Sequence, residues 1–149
     1  MIGPTLRSNL SSKNSIHKAV FDRLAKLNNL FFIGSVKSSH LMSYLKEMDI
    51  NLILFKKEFE RIHCSPHKVL AYFYSEKVTL SNYIDEHKET DQDIIQMISE
   101  QHMLISKFKE LADNLDTQNT TAMRSKRKAF AINNSYSSKI EEIEKLLYL

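Results

Sequence analysis

Scarce glycine and proline restrict the folds available to this chain of 149 residues. Gly3, Gly34, Pro4 and Pro66 are its whole supply of the two residue types that favour tight turns. A sheet built from hairpins needs such residues at each reversal, and Rossmann and P-loop domains use glycine to bring the backbone close to phosphate. The sequence therefore predicts an all-α fold.

Apolar residues recur at alternating steps of four and three along residues 40–62, which is the spacing of helices that pack side by side. These positions are Leu41, Leu45, Met48, Leu52, Phe55, Phe59 and Ile62. Similar spacing elsewhere, together with capping signals such as Ser65 before Pro66, indicates further helices. The predicted helices cover approximately residues 15–33, 39–63, 66–88, 91–115 and 121–147.

Together these segments predict an antiparallel helical bundle of four to five helices with coiled-coil-like heptad packing. The stretch 66–115 fits either two helices or one continuous helix, and with 120–149 it could form a long helical hairpin. We expect a single helical domain over residues 14–149. A flexible N-terminal arm over residues 1–13 is expected before it, because that stretch is polar and has no apolar period.

The cysteine count and the hydropathy pattern bear on where the protein is found. Cys64 is the one cysteine, so the chain has no internal disulfide, and this fits a reducing compartment. No run approaches the roughly 18 consecutive apolar residues of a membrane-spanning helix, and the first residues lack the apolar core of a secretory signal. We therefore expect a soluble, cytoplasmic protein with no transmembrane segment.

Several residues could carry chemistry, but none forms a complete site. His63, Cys64 and His67 have ligand chemistry suited to zinc, yet they straddle a predicted helix end and lack a fourth ligand. Glu60 and His63 have the spacing of a di-iron motif, which would need a second such pair. Cys64 beside a histidine is the one visible nucleophile–base pair. We therefore predict no catalytic residues, no metal and no cofactor, and a protein that is not an enzyme. A metal-binding or catalytic helical bundle is the second alternative.

A short basic run over residues 124–128 is the best candidate for nucleic-acid binding. On a helix, Arg124, Arg127 and Lys128 fall on one side, where they could contact phosphates. The same run could equally face water or contact an acidic helix, because residues 69–116 carry a net charge of −6. A small nucleic-acid-associated regulator is therefore the first alternative function.

More apolar residues are present than one helical seam can bury, and this excess indicates either a multi-helix core or a core together with an interaction surface. Ile50 and Leu54 lie outside the seam of residues 40–62, and the C-terminal segment has a second seam at Tyr136, Ile140, Ile143 and Leu147. We predict that these six residues contact a protein partner or a second copy of the chain. The predicted function is a non-catalytic helical interaction module, such as an adaptor, a chaperone-like protein or an assembly subunit. A homo- or hetero-oligomer is expected.

Overall fold

The computed structural model describes residues 15–55 and 67–147. The chain divides into two compact units at Leu41 and Met42. The arm predicted over residues 1–13 lies outside the described residues, and the single domain expected over 14–149 stays a prediction.

Among its described residues, the first unit holds one complete helix, α1 at Ser15–Leu24. The rings of Phe21 and Phe32 lie 4.9 Å apart between centroids, so the chain after α1 turns back toward it. Gly34 adopts a φ of +79°, a left-handed conformation that glycine reaches without steric cost. The next helix is α2 at Ser38–Glu47.

The second unit alternates strands and helices. After α2 it contains β1 at Ile50–Ile53, α3 at His67–Tyr74, β2 at Val78–Asn82 and β3 at Gln96–Ile98. Its remaining helices are α4 at Leu104–Asp113, α5 at Leu115–Gln118, α6 at Thr121–Asn133 and α7 at Tyr136–Leu147. Two short 3-10 turns occupy Asp85–His87 and Gln101–Met103.

The three strands form a parallel sheet in the order β1-β2-β3. Ile50 is opposite Val78, and Leu80 is opposite Gln96. All five residues of β2 are buried, as expected for a central parallel strand whose two faces are both covered.

This sheet shows that the prediction of an all-α antiparallel bundle with coiled-coil packing is wrong. Scarce glycine disfavours sheets of hairpins, whereas parallel strands are joined by long crossovers that need no tight turn. β1 and β2 are joined by a crossover that contains α3, and the connection from β2 to β3 runs through a 3-10 turn. The chain therefore builds a mixed α/β fold with few glycines.

The predicted helices are interrupted where the sheet forms. The helix expected over 39–63 ends at Glu47 and is followed by β1, and the one expected over 66–88 ends at Tyr74 and is followed by β2. Within 91–115, β3 precedes α4, and the expected helix over 121–147 divides into α6 and α7. The predicted hairpin of 66–115 with 120–149 is therefore wrong as well.

Two clusters of buried side chains form the core of the second unit. The larger contains residues of α3 and α6, Ile53 of β1 and three isoleucines of the connection between β2 and β3, namely Ile53, Val69, Phe73, Ile84, Ile94, Ile95 and Ala131. The smaller joins Val78 and Leu80 of β2 to Ile98 of β3 and Leu111 of α4. The larger cluster holds α6 through Ala131, and the hydrogen bond from Ser138 to Ile132 joins the first turn of α7 to α6.

Candidate interaction surface and the basic run

The helix α7 presents an apolar stripe to solvent. Tyr136, Ile140, Ile143 and Leu147 are 67%, 54%, 56% and 74% exposed, and the neighbouring Leu146 is 74% exposed. No residue of α7 is buried. We call Tyr136, Ile140, Ile143 and Leu147 the α7 stripe. They share one face because their spacing of four, three and four follows the helical period.

Serine side chains fix the point at which α7 begins. The hydroxyl of Ser135 accepts a hydrogen bond from the backbone N–H of Ser138 at 3.3 Å. The Ser138 hydroxyl donates to the carbonyl of Ile132 at 2.8 Å, which ties the first turn of α7 to the last turn of α6. Beyond this turn every residue from Lys139 to Leu147 is exposed. Most of α7 is therefore exposed, and Lys139 borders a cleft together with residues of α3 and α6.

The other two predicted interface residues, Ile50 and Leu54, lie at the start of β1 and directly after it, and not on α7. Ile50 is the first residue of β1 and packs half-buried against the smaller core cluster. Leu54 follows β1 and is 51% exposed. The structure therefore collects the four C-terminal residues on one helix face and places these two on a different element.

Arg127, the central member of the predicted basic surface, is fully buried, with 0% of its area exposed. Its Nε donates to the carbonyl of Asp93 at 2.9 Å, and its Nη2 donates to the carbonyl of Gln118 at 2.6 Å. Its Nη1 donates to the carbonyl of Glu76 at 3.2 Å and to Oδ1 of Asn119 at 2.9 Å. Burial lowers the pKa of the guanidinium to about 10, so the group stays charged at neutral pH. Arg127 therefore joins three segments of the unit.

The other basic residues of the run remain at the surface. Lys126 contacts Asp91 at 2.6 Å and Asp93 at 2.8 Å, and the hydrogen bond to Asp91 is the main reason that its pKa is raised. Lys128 contacts Glu76 at 2.9 Å. Arg124 is exposed.

Of the three predicted phosphate contacts, the structure thus leaves Arg124 and Lys128 at the surface. Lys128 is already paired with a carboxylate. Arg127 is enclosed, and its N–H groups are directed at oxygen atoms of the protein.

The acceptors of Arg127 include two features that the sequence did not reveal. Glu76 has a φ of +70°, an uncommon conformation for a residue other than glycine, and Arg127 binds its carbonyl. Asn119 accepts from the backbone N–H of Val78 at 3.0 Å as well as from Arg127. One signal was available: Arg127 is four residues before the buried Ala131, so the two share the face of α6 that meets the core.

A buried histidine borders a polar cleft near α6. His87 is 4% exposed, and its Nδ1 lies 3.2 Å from the hydroxyl of Thr90. Its ring packs edge-on against Phe73, with centroids 5.6 Å apart. Burial lowers the pKa of His87, although the nearby Glu86 opposes this shift. Within the described ranges, Nε2 of His87 is one of two buried side-chain atoms with no hydrogen-bond partner.

The cleft beside His87 has a volume of about 400 Å³. Its wall combines apolar and polar side chains, namely Leu70, Glu86, His87, Thr90, Phe130, Asn134 and Lys139.

Metal ligands do not converge in the part of the chain that the structure describes, where no three His, Cys, Asp or Glu side chains could hold an ion together. The candidates Glu60, His63 and Cys64 lie outside the described residues. The predictions of no metal, no cofactor and no catalytic residue therefore stay predictions. No helix described in 15–55 and 67–147 combines the length and apolar character that crossing a membrane requires.

Comparisons of the chain with protein-family models, with curated proteins and with solved structures find no match. Its function is therefore inferred from its own residues.

Proposed function

We propose that this chain is a non-catalytic protein-interaction module that binds a partner helix through the α7 stripe. One observation carries the proposal: the stripe is apolar, continuous along the helix and more than half exposed at each of its four positions. Contiguous exposed apolar surface of this kind marks interaction sites in soluble proteins.

The length of α7 supports a partner as well. It has 12 residues, and isolated helices shorter than about 12–15 residues are marginal in water. Helices in proteins owe most of their stability to the packing of an apolar face. Because no residue of α7 is buried, this packing would have to come from another helix that covers the stripe.

The energetic gain from covering the stripe is substantial. Complete burial of an isoleucine or leucine side chain is worth roughly 1.5–3 kcal/mol. Ile140, Ile143 and Leu147 each have more than half of their surface available for this. A helix laid in an apolar groove, or against a second helix, is a common mode of recognition between proteins.

The remaining predictions about function belong to this proposal. The absence of an enzymatic role is supported by the lack of a recognisable catalytic motif around Cys64. A cytoplasmic location is supported by the single cysteine. The nucleic-acid alternative is not preferred, since Arg127 is buried and Lys128 is paired with Glu76.

A negative charge introduced into the α7 stripe tests this proposal. Ile140→Asp combined with Ile143→Asp should abolish self-association in sedimentation velocity, or binding of partners in cross-linking of source-cell lysates. Lys145→Asp, on the opposite side of α7, is the matched control and should leave association unchanged. At concentrations where the parent chain is monomeric, both variants should unfold in denaturant like the parent, because none of these side chains belongs to a core cluster.

A parent chain that is strictly monomeric at high micromolar concentration, and that cross-links to the same proteins as the double-aspartate variant, would contradict the proposal.

A further inference from the structure

We propose that the α7 stripe is occupied by α7 of a second copy of this chain, with the two helices parallel. This inference rests on the proposed function and adds the identity and orientation of the partner. The charges that flank the stripe and the free space around α7 both support it.

Opposite charges border the stripe on its two sides. With the helical rotation of about 100° per residue, Lys139 lies on one flank of the stripe and Glu144 lies on the other. Lys139 contacts Glu142 within its own helix at 3.0 Å. This contact keeps the ammonium group of Lys139 on the flank of the stripe opposite to Glu144. Both Lys139 and Glu144 are exposed.

Parallel pairing makes these flanks complementary. When two identical helices face each other about an axis parallel to both, the left flank of one opposes the right flank of the other. Lys139 of each copy then faces Glu144 of its partner, and the symmetry produces this contact twice. Residues that flank an apolar seam in this way determine the partner and the orientation of paired helices.

Antiparallel pairing lacks this complementarity, because each flank then faces its own counterpart. The flank of Lys139 also carries Leu146, and the flank of Glu144 also carries Ser137. Neither combination contains a pair of opposite charges. The sequence of α7 therefore favours the parallel arrangement on electrostatic grounds.

The surroundings of α7 leave room for a second helix. Every residue from Lys139 to Leu147 is exposed, on all sides of the helix. The hydrogen bond from Ser138 to Ile132 joins the first turn of α7 to α6, and Lys139 borders the cleft that Phe130 and Asn134 also line. A second α7 can thus approach the stripe along its last two turns without displacing a residue of the core.

The test exchanges the two charges between copies. Lys139→Glu alone and Glu144→Lys alone should each weaken dimerisation roughly 5- to 30-fold at low salt, because two attractive contacts become repulsive. An equimolar mixture of the two variants should restore association as a heterodimer. In that mixture, both contacts join opposite charges again. Native mass spectrometry and sedimentation velocity on the whole chains measure both effects.

Lys145→Glu is the matched control for the charge change, since Lys145 lies opposite the stripe. Its dimerisation should stay within about twofold of the parent, in line with the small effect of isolated surface charges. The mixture is itself a control for helix stability, because any loss caused within one helix by Lys139→Glu is not repaired by a second chain.

Failure of this inference is distinguishable from failure of the proposed function. A parent chain that dimerises through the stripe, but whose two charge variants do not form a heterodimer, overturns the parallel arrangement and leaves the interaction module intact. A monomeric parent that binds another protein in a stripe-dependent way overturns the second copy as occupant. Association that is insensitive to Ile140→Asp with Ile143→Asp overturns both.

Discussion

Replacement of Arg127 by lysine tests whether this residue holds the second unit together. The change keeps the positive charge and much of the aliphatic chain, but it exchanges a planar group with five N–H donors for a single ammonium group. The four oxygen atoms that Arg127 now binds belong to Glu76, Asp93, Gln118 and Asn119. An ammonium group at one point does not reach acceptors that are spread around a guanidinium.

The expected loss comes from the acceptors that remain unsatisfied. If lysine keeps two of the four hydrogen bonds, two partly buried oxygen atoms lose the guanidinium as a donor, at about 1–2 kcal/mol each, the lower part of the range for buried groups. We therefore expect the free energy of unfolding to fall by about 2–4 kcal/mol, a large part of the 5–15 kcal/mol that is typical of a domain. For a chain of this size the midpoint of thermal unfolding should fall by about 5–15 °C.

Arg124→Lys is the matched control, because Arg124 is on the same helix one turn earlier and is exposed. Its free energy of unfolding should change by less than about 0.5 kcal/mol. Denaturant titration followed by far-UV circular dichroism measures both variants. Equal stabilities for Arg127→Lys and Arg124→Lys would refute the role assigned to Arg127.

Two further predictions concern buried polar groups. Burial lowers the pKa of His87 below 6.5, so the unfolded chain takes up a proton first as the pH falls, and the free energy of unfolding should decrease below about pH 6.5. Denaturant titrations across this range should show a smaller decrease in the free energy of unfolding for His87→Gln than for the parent chain. The exposed His102→Gln is the control. A pH profile of His87→Gln that equals that of the parent would contradict the role assigned to His87. Asn119→Ala leaves the N–H of Val78 without its acceptor and should cost about 1–3 kcal/mol. The exposed Asn133→Ala should be nearly neutral in the same titration, and equal losses for the two would count against a special role for Asn119.

The starts of the helices could be predicted from the sequence better than their ends. The predicted starts at 39 and 121 lie within one residue of the first residues of α2 and α6, whereas the start predicted at 91 comes before β3, and α4 begins at Leu104. Capping residues are local signals, so they can be recognised without knowledge of the fold. The end of a helix depends on the next element of the chain, and for both α2 and α3 that element is a strand of the sheet.

The strands were missed because parallel strands resemble buried helices in a single sequence. Ile50, Leu52 and Ile53 are apolar on both faces of β1, and such runs lack the alternation that identifies a half-exposed strand. The heptad spacing of residues 40–62 crosses from α2 into β1, so the same period extends over two kinds of structure. Only pairing with distant residues, such as Ile50 with Val78, decides between them.

In the C-terminal segment, too, the exposed residues can be predicted from the sequence better than the buried ones. The exposure of the α7 stripe can be anticipated from one helix considered alone, whereas the burial of Arg127 depends on carbonyls 34 and 51 residues away. In the sequence of a basic run, an arginine whose guanidinium is buried among neutral oxygen acceptors cannot be told from an exposed one. The sequence therefore indicates which residues share a helix face, but it gives little information on which basic side chain is buried.

The position of Arg127 also implies an order of events during synthesis of the chain. Its acceptors on Glu76 and Asp93 leave the ribosome before it does, and Ala131, a member of the larger core cluster with Phe73, comes later still. Until α6 has been made, the sheet and α3 lack the helix that completes their core. Units that close through contacts distant in sequence fold slowly and expose apolar surface in the meantime. A nascent chain that pauses before residue 127 therefore leaves the side of Phe73 that α6 covers in the folded unit open to water.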